Sequence, residues 1–302
     1  MYKMEGMKIV VTGSLGHISK PLTQALVQQG HYVTVISSNI GKQKCIESLG
    51  ATCAIGAIQD VNFLIKTFTG ADAVYLMEPP GNYFEQNPNP KSSWLHIANC
   101  YVDSILKSQI TKVIHLSSVG AHTTEGVGML EAHCKVEHIL KGLPESIAIK
   151  FMRPVGFYYN MFGFIPAIKS HGSIIQNYGG DQKEPWVSPL DIAAVIAEEF
   201  EKPFNERTVR YIASDEISPN DVAKVLGEAI GLPNLKWISI SDEQYLNGLL
   251  EAGVNPNTAR GLAAMNAGRL NNLYDDYNRN KPSLGKVKMK DFAKDFATVY
   301  NQ

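Results

Sequence analysis

The sequence predicts an α/β fold in which a doubly wound parallel sheet is accompanied by a small C-terminal α/β lobe. Over the first half of the chain, short segments rich in Val and Ile alternate with segments of helical periodicity. These apolar segments are nearly continuous, as in strands buried on both faces of a parallel sheet. The first of them runs directly into a glycine turn, Gly13-Ser-Leu-Gly16. Together the three observations indicate a Rossmann-type sheet.

The expected elements follow one another in a regular order. Strands are predicted at 9–11, 31–36, 51–55, 73–77, 113–117 and 147–152. Helices are predicted at 42–49, 61–69, 94–107 and 129–140. After Pro154 the alternation loosens, with helices at 189–201 and 220–230, strands near 207–213 and 236–240, and a mostly helical tail over 242–302. Two units are therefore expected: an NAD(P)-binding Rossmann domain at 7–153 and a smaller substrate-covering lobe at 154–302, interleaved with the Rossmann core.

The composition is that of an ordinary globular protein. The 302 residues are 44% hydrophobic and 19% charged, with a formal net charge of −1, which gives no electrostatic case for nucleic acid or an anionic membrane. There is no bilayer-length apolar run and no signal-peptide pattern. The four cysteines lack C-x-x-C spacing, which favours reduced thiols and a cytoplasmic location. A small-molecule substrate is expected. The sequence leaves the oligomeric state open between a monomer and a homodimer.

The glycine turn predicts a phosphate-binding site. It has the form G-x-x-G-x-x-S, with Ser19 in the third position, where a glycine would serve close helix–strand packing. Such a turn brings a pyrophosphate against bare backbone N–H groups at a helix N-terminus. The residues expected to bind the cofactor here are Gly13, Ser14, Leu15, Gly16, His17 and Ile18.

The end of the second strand favours NADP(H) over NAD(H). An NAD site usually carries an acidic residue there to hold the ribose 2′-hydroxyl, but Asp and Glu are absent from residues 6–46. Ser37, Ser38, Asn39 and Lys42 would instead suit a 2′-phosphate. The alternative is a polar turn beside lysines on a solvated helix.

Further cofactor contacts are expected where later strands end. Ile58 is placed to lie against the adenine. The residues that close the fourth strand should flank the ribose: Met77, Glu78 and Pro79. Ser117 and Ser118, at the C-terminal end of the fifth strand, should face the nicotinamide, or else tie down the next turn. Pro154 and Phe157 follow the sixth strand and should cover the nicotinamide.

These motifs together resemble the NmrA-like, atypical branch of the short-chain dehydrogenase/reductase superfamily. The resemblance extends over nearly the whole chain and lies in an ordered series of segments: 11–16, 70–76, 114–119, 133–137, 150–154 and 185–193. It implies NAD(P)H-dependent reduction of quinones, azo dyes or similar electrophiles, as in quinone reductases, or nicotinamide sensing by a regulator without turnover. Similar sequences are also labelled nucleoside-diphosphate-sugar epimerases.

The usual proton relay of that superfamily is missing. It pairs a tyrosine with a lysine four residues on, yet this chain has no tyrosine between Tyr101 and Tyr158. Epimerases and alcohol dehydrogenases must move a hydroxyl proton with the hydride, so this absence counts against both. His133 stands in the tyrosine's place and is the candidate catalytic donor; the alternative is a helix histidine without a role. Glu137 is expected to fix that helix by hydrogen bonds.

An aromatic cluster after the sixth strand is the candidate substrate pocket. Tyr158, Tyr159 and Trp186 are its expected lining, although such rings often form ordinary core. No metal site is predicted, because the histidines lack ligand spacing, and no G-x-S-x-G hydrolase motif is present. Three functions follow in order: an NADPH-dependent reductase of a quinone or similar aromatic electrophile, a non-catalytic NADP(H) sensor, and a sugar-nucleotide epimerase-like enzyme.

Overall fold

The computed structural model describes residues 6–82, 84 and 90–302. In chain order its strands are β1 (Lys8–Val11), β2 (Tyr32–Ser37), β3 (Thr52–Ile55), β4 (Ala73–Leu76), β5 (Lys112–Leu116), β6 (Ala148–Pro154), β7 (Gly156–Phe157), β8 (Ser173–Gln176), β9 (Glu184–Val187), β10 (Thr208–Ile212), β11 (Asp215–Ile217) and β12 (Lys236–Ser239). The α-helices are α1 (Ser19–Gln28), α2 (Gln43–Glu47), α3 (Val61–Phe68), α4 (Pro90–Ser108), α5 (Glu131–Lys141), α6 (Ile165–His171), α7 (Pro189–Phe200), α8 (Pro219–Ala229), α9 (Asp242–Glu251), α10 (Pro256–Gly268), α11 (Asp275–Arg279) and α12 (Met289–Tyr300).

The predicted Rossmann-type sheet is confirmed. Seven parallel strands lie in the order β10-β6-β5-β4-β1-β2-β3. From β1 the chain builds outward to β2 and β3, then returns to β4 on the other side of β1. The carboxyl ends of β1 and β4 therefore flank the point where the strand order reverses, which is where ligands bind in such sheets.

Each face of the sheet is covered by helices. Along β1, Ile9 and Val11 pack into one core and Val10 into the other, as the two-residue period of a strand requires. The first core includes residues of α1 and α7, and the second includes residues of α3, α4 and α5. Because both faces are buried, β4 and β6 show no exposed position at all. This explains the continuous apolar sequence of β4, whereas β6 also buries Lys150 and Arg153.

The C-terminal part has its own core but also contributes to the sheet. A third cluster includes aromatic residues such as Tyr158, Trp237 and Phe296. Within the same half of the chain, however, α7 packs on α1, and β10 extends the main sheet beside β6. The division expected at residue 153 falls at the end of β6.

Most expected elements lie within a few residues of the observed ones. The largest shift is α4, which begins at Pro90 rather than at Trp94. Proline's fixed φ suits the first position of a helix, so the helix starts before its apolar periodicity becomes visible. Within the described part of the chain, no helix is long and apolar enough to cross a membrane.

The loop after β5 lies in close backbone contact with α10. Replacing the glycine at this contact should show how much the close approach matters to the free energy of unfolding. Gly128 has a φ of +56°, and a Cβ there would collide with the Gly261 carbonyl oxygen, whereas Gly172 (φ +64°) has open space. We expect Gly172→Ala to lower the free energy of unfolding by about 1–2 kcal/mol, the cost of the backbone conformation alone. Gly128→Ala should cost about 1–3 kcal/mol more because of overpacking. Urea denaturation measures both losses. Equal losses would show that α10 moves away from the added Cβ without a further cost in free energy.

Candidate functional site

The turn after β1 has the backbone geometry of a phosphate-binding loop. Gly13 and Ser14 both have positive φ, at 86° and 54°, which glycine adopts freely and serine rarely. A Cβ at Gly13 would collide with the Ser19 hydroxyl and lie 3.2 Å from the Met77 sulfur. Gly13 is therefore required both for its backbone angle and for the close approach of its neighbours.

Thr12 ties this turn to the end of β4. Its hydroxyl donates to the carbonyl of Tyr75 (3.1 Å) and accepts from the N–H of Met77 (3.0 Å). The side chain is fully buried, so these bonds face no competition from water. The turn and the exit of β4 are thereby held together at the reversal of strand order.

The N-terminus of α1 fits the pyrophosphate of a dinucleotide. The Ser19 hydroxyl donates to the Thr12 carbonyl (2.9 Å), so it keeps the close packing expected of a third glycine. The N-cap residue, Ile18, makes no side-chain cap, and the first turn holds no acidic residue. Uncapped N–H groups and the positive end of the helix dipole both favour an anion. Gly16 and His17 are exposed beside them, and Leu15 is half-buried.

The end of β2 is coupled to the glycine turn. Ser37 is 2% exposed, and its hydroxyl accepts from the Ser14 hydroxyl at 2.9 Å and from the Asn39 N–H at 3.2 Å. Ser38, Asn39 and Lys42 remain exposed. Ser37 thus has a positioning contact of its own, while its three neighbours offer a polar, cationic surface.

A buried acid–base pair joins the exits of β4 and β5. The Nε2 atom of His115 lies 3.0 Å from a Glu78 carboxylate oxygen, and the two side chains are 0% and 1% exposed. The Nδ1 atom of His115 is buried without a hydrogen-bond partner. A buried carboxylate is tolerated only when it is paired. The Glu78 side chain, expected beside the ribose, is therefore directed at His115.

His133 lies on α5 in aromatic contact with Trp94. The ring centroids are 4.8 Å apart with an interplanar angle of 46°, and the His133 Nδ1 atom is buried without a partner. Burial lowers the pKa of His133 to about 4, although the nearby charge of Glu78 opposes the shift. The imidazole is therefore neutral at neutral pH. It can donate one N–H to a ligand oxygen but is not a cationic acid.

Glu137 and Arg153 form a buried ion pair beneath α5. Arg153 donates from Nε (2.8 Å) and Nη2 (2.7 Å) to the two carboxylate oxygens, and the Ser117 hydroxyl donates to one of them at 2.6 Å. Burial by itself raises the pKa of Glu137, but the bonds from Arg153 and Ser117 outweigh it, and the pKa lies below its ordinary value. Glu137 thus fastens α5 to β5 and β6, and the Ser117 hydroxyl is engaged.

The aromatic residues expected to line the substrate pocket have different surroundings. Tyr158 and Trp186 are each 1% exposed and belong to the core of the lobe, so they pack this core rather than line an open surface. Tyr159 is half-buried, and its ring contacts that of His17 edge-on at 4.6 Å. Of the three, Tyr159 lies beside the glycine turn.

The other expected cofactor contacts lie at the ends of their strands. Pro79 is exposed, Met77, Ser118 and Phe157 are half-buried, Pro154 is buried as the last residue of β6, and Ile58 packs half-buried against the second core. Within the described ranges, no three or more His, Cys, Asp or Glu side chains are grouped to hold a metal ion.

Comparison with known sequences identifies the family. The profile of the NmrA-like family matches residues 5–289. The chain belongs to the NmrA-like family. This NmrA-like sequence is 20% identical over 267 residues to an NAD(P)H azoreductase from Xenophilus azovorans, a match that covers 88% of this chain and 86% of that protein.

Solved structures share the NmrA-like architecture. An NADPH-dependent quinone oxidoreductase from Escherichia coli, in complex with NADPH, superposes with a TM-score of 0.77 at 19% identity and covers 95% of this chain and 99% of its own. A nucleoside-diphosphate-sugar epimerase from Staphylococcus aureus has a TM-score of 0.77 at 16% identity, covering 95% and 100% of the two chains. At identities this low, the superpositions establish the fold alone. The chemistry has to be argued from the residues of the site.

Two side chains of this NmrA-like site are given no role by the sequence patterns. Trp94 reads as an apolar helix residue, and His115 as a strand residue among scattered histidines. A usable signal exists for His115, because Glu78 and His115 end neighbouring strands of the predicted sheet and so must lie close together. Trp94 has no such signal, since its partner His133 lies on another helix.

Removing the charge of Glu137 should destabilise the protein strongly. Glu137→Gln removes the bidentate carboxylate partner of buried Arg153 and leaves it the single bond to the Asp276 carboxylate. We therefore expect a loss of about 3 kcal/mol in the free energy of unfolding at pH 7, the lower end of the cost of breaking a buried ion pair. The same change at exposed Glu145 should stay within about 0.5 kcal/mol. Chemical denaturation measures both, and similar losses in the two variants would contradict a central role for the pair.

The loss of stability at acid pH should also differ between the native protein and Glu137→Gln. Because folding lowers the pKa of Glu137 below its ordinary 4.5, its contribution is complete above about pH 4.5 and is lost as the pH falls through the folded-state value. Between about pH 5 and pH 3 the native protein should therefore lose more stability than Glu137→Gln.

Proposed function

We propose that this NmrA-like chain is an NADPH-dependent oxidoreductase that reduces a quinone or similar aromatic electrophile by direct hydride transfer. The observation that carries the proposal is the glycine turn and uncapped α1 N-terminus at the reversal of strand order, with a neutral His133 on α5, the helix that follows β5. The azoreductase and quinone oxidoreductase relatives support the same reaction class. The proposed partner is a small molecule, and the proposed compartment is the cytoplasm.

The residues present would hold the cofactor at three places. The N–H groups of the glycine turn and of α1 would bind the pyrophosphate. Ser38, Asn39 and Lys42 would bind a 2′-phosphate, because the exit of β2 has no carboxylate to repel it. The ends of β4 and β5 would then face the nicotinamide, which supplies the hydride when NADPH is bound.

The chemistry asked of the protein is modest. A quinone is a strong electrophile, so orientation and one hydrogen-bond donor at the developing oxyanion are sufficient. His133 is half-buried, and desolvation keeps it neutral. It can therefore present an N–H to that oxygen as an uncharged hydrogen-bond donor. Water then delivers the proton. The bonds that hold Glu137 keep α5, and with it His133, in place.

A non-catalytic NADP(H) sensor is the second candidate. It is favoured by the engagement of the Ser117 hydroxyl with Glu137, which leaves His133 as the one proposed side-chain donor of the reaction. The epimerase-like alternative needs a proton relay that the residues at positions 133 and 137 do not form.

Turnover separates the enzyme from the sensor. Purified protein with NADPH and a panel of quinones should oxidise NADPH, followed at the nicotinamide absorbance. His133→Ala should lower kcat by about 10- to 100-fold, at or below the effect of deleting an oxyanion-hole donor, while the Kd for NADPH stays unchanged. His133→Gln, which keeps a neutral N–H donor, should retain more activity than the alanine variant. NADPH binding without turnover across the panel would favour the sensor.

The choice of cofactor should depend on the exit of β2. Ser38→Asp places a carboxylate where the 2′-phosphate would bind, so we expect NADPH to bind at least about 10-fold more weakly while NADH binding is kept or improved. Ser283→Asp makes the same change on another exposed segment and should alter neither affinity. Calorimetric titration gives both constants, and equal affinity of the unaltered protein for NADH and NADPH would count against the proposed preference.

A further inference from the structure

Trp94 differs from the other tryptophans in its surroundings. Trp186 and Trp237 are 1% and 8% exposed and belong to the core of the lobe. Trp94 is only half-buried, in the early part of α4. A large apolar ring left partly open beside a candidate catalytic side chain needs an explanation, because complete burial would stabilise the fold further.

Two contacts hold the indole in this half-open position. Its Nε1 atom donates to the carbonyl of Pro79 (2.8 Å), and its ring meets that of His133 at 4.8 Å. It therefore bridges the exit of β4 and helix α5, at the same sheet edge as the glycine turn. A ring restrained from two sides has little conformational freedom to lose when a ligand binds.

The two rings that meet at this point, those of Trp94 and His133, are aromatic and carry no charge. Burial keeps His133 neutral, and the Glu78 carboxylate beside it is paired with His115. Such a surface suits the flat face of a conjugated ring. It offers few partners to the hydroxyl groups of a sugar, which would lose hydrogen bonds to water on binding.

We propose that Trp94 is a specificity-determining residue whose indole stacks on the aromatic ring of the electrophile and holds it beside His133. The inference rests on the proposed function and deepens it: the preferred substrates are fused, flat aromatic quinones rather than small or aliphatic carbonyl compounds. Trp94 acts on substrate affinity, and the cofactor does not depend on it.

The test measures binding without requiring turnover. Protein saturated with oxidised NADP⁺ is titrated calorimetrically with menadione, a two-ring quinone. Trp94→Leu should weaken menadione binding by about 2- to 10-fold, the value of one aromatic pair, and leave the Kd for NADP⁺ unchanged. Trp94→Phe keeps an aromatic face and should retain most of the affinity. The control is Trp237→Phe, which also removes an indole bond to a backbone carbonyl and should leave menadione binding unaltered.

Fluorescence gives a second readout. Menadione should quench the emission of the unaltered protein and of Trp237→Phe, and the quenched component should be missing in Trp94→Phe. In steady-state assays Trp94→Leu should raise KM for menadione more than KM for single-ring benzoquinone.

The outcomes separate this inference from the function on which it rests. Menadione affinity that is unchanged in Trp94→Leu overturns the role of Trp94 even if the enzyme turns over. If menadione binding depends on Trp94 but no turnover occurs, the reductase proposal alone is contradicted. The aromatic binding site is then still supported. Failure of menadione to bind the NADP⁺-loaded protein contradicts both.

Discussion

The bidentate ion pair between Glu137 and Arg153 is the interaction on which the geometry of the site depends. Two charges in the protein interior are tolerated only when each satisfies the other at hydrogen-bond distance. Arg153 also reaches the Asp276 carboxylate at 3.1 Å, so the same guanidinium connects strand β6, helix α5 and helix α11. A rotation of α5 would leave a buried charge without a partner.

This constraint determines where His133 points. Residues four apart lie on the same face of a helix, one turn above the other. Since Glu137 is held by Arg153 and Ser117, His133 must face the same sheet edge one turn earlier. The short-chain dehydrogenase pattern places a tyrosine and a lysine at this spacing, and here a neutral imidazole and an engaged carboxylate replace them. On the proposed function, this replacement restricts the reaction to hydride acceptors that must be oriented by the protein but need not be protonated by one of its side chains.

The cofactor end of the site is held by hydroxyl groups rather than by charges. Thr12 links the glycine turn to β4, and Ser14 links it to Ser37 at the end of β2. Each bond involves a short, buried or half-buried side chain, so little conformational freedom is lost when a ligand arrives. The cationic and amide groups that would select a phosphate lie outside this frame, on exposed positions. On the proposed function, binding geometry and cofactor preference would thus be carried by different residues.

The sequence by itself determined the fold and predicted where a dinucleotide would bind. Alternation of apolar strands and helices, a glycine turn after the first strand and an acid-free exit of the second strand are local patterns, and local patterns are visible in one dimension. The role of Glu137 in fixing α5 could also be anticipated from the helix that carries it.

Only the tertiary structure decided what the remaining side chains touch. Glu78 lies 37 residues from His115 along the chain, and the pairing of β4 with β5 brings them together. Trp94 lies on a different helix from His133, so no spacing rule connects that pair. The three aromatic residues expected in one pocket show the same limit. Tyr158 and Trp186 are buried and Tyr159 is half-open, because burial depends on which elements pack over a segment. Sequence reasoning identifies residue types suited to a site, whereas contacts between distant segments decide which of them reach it.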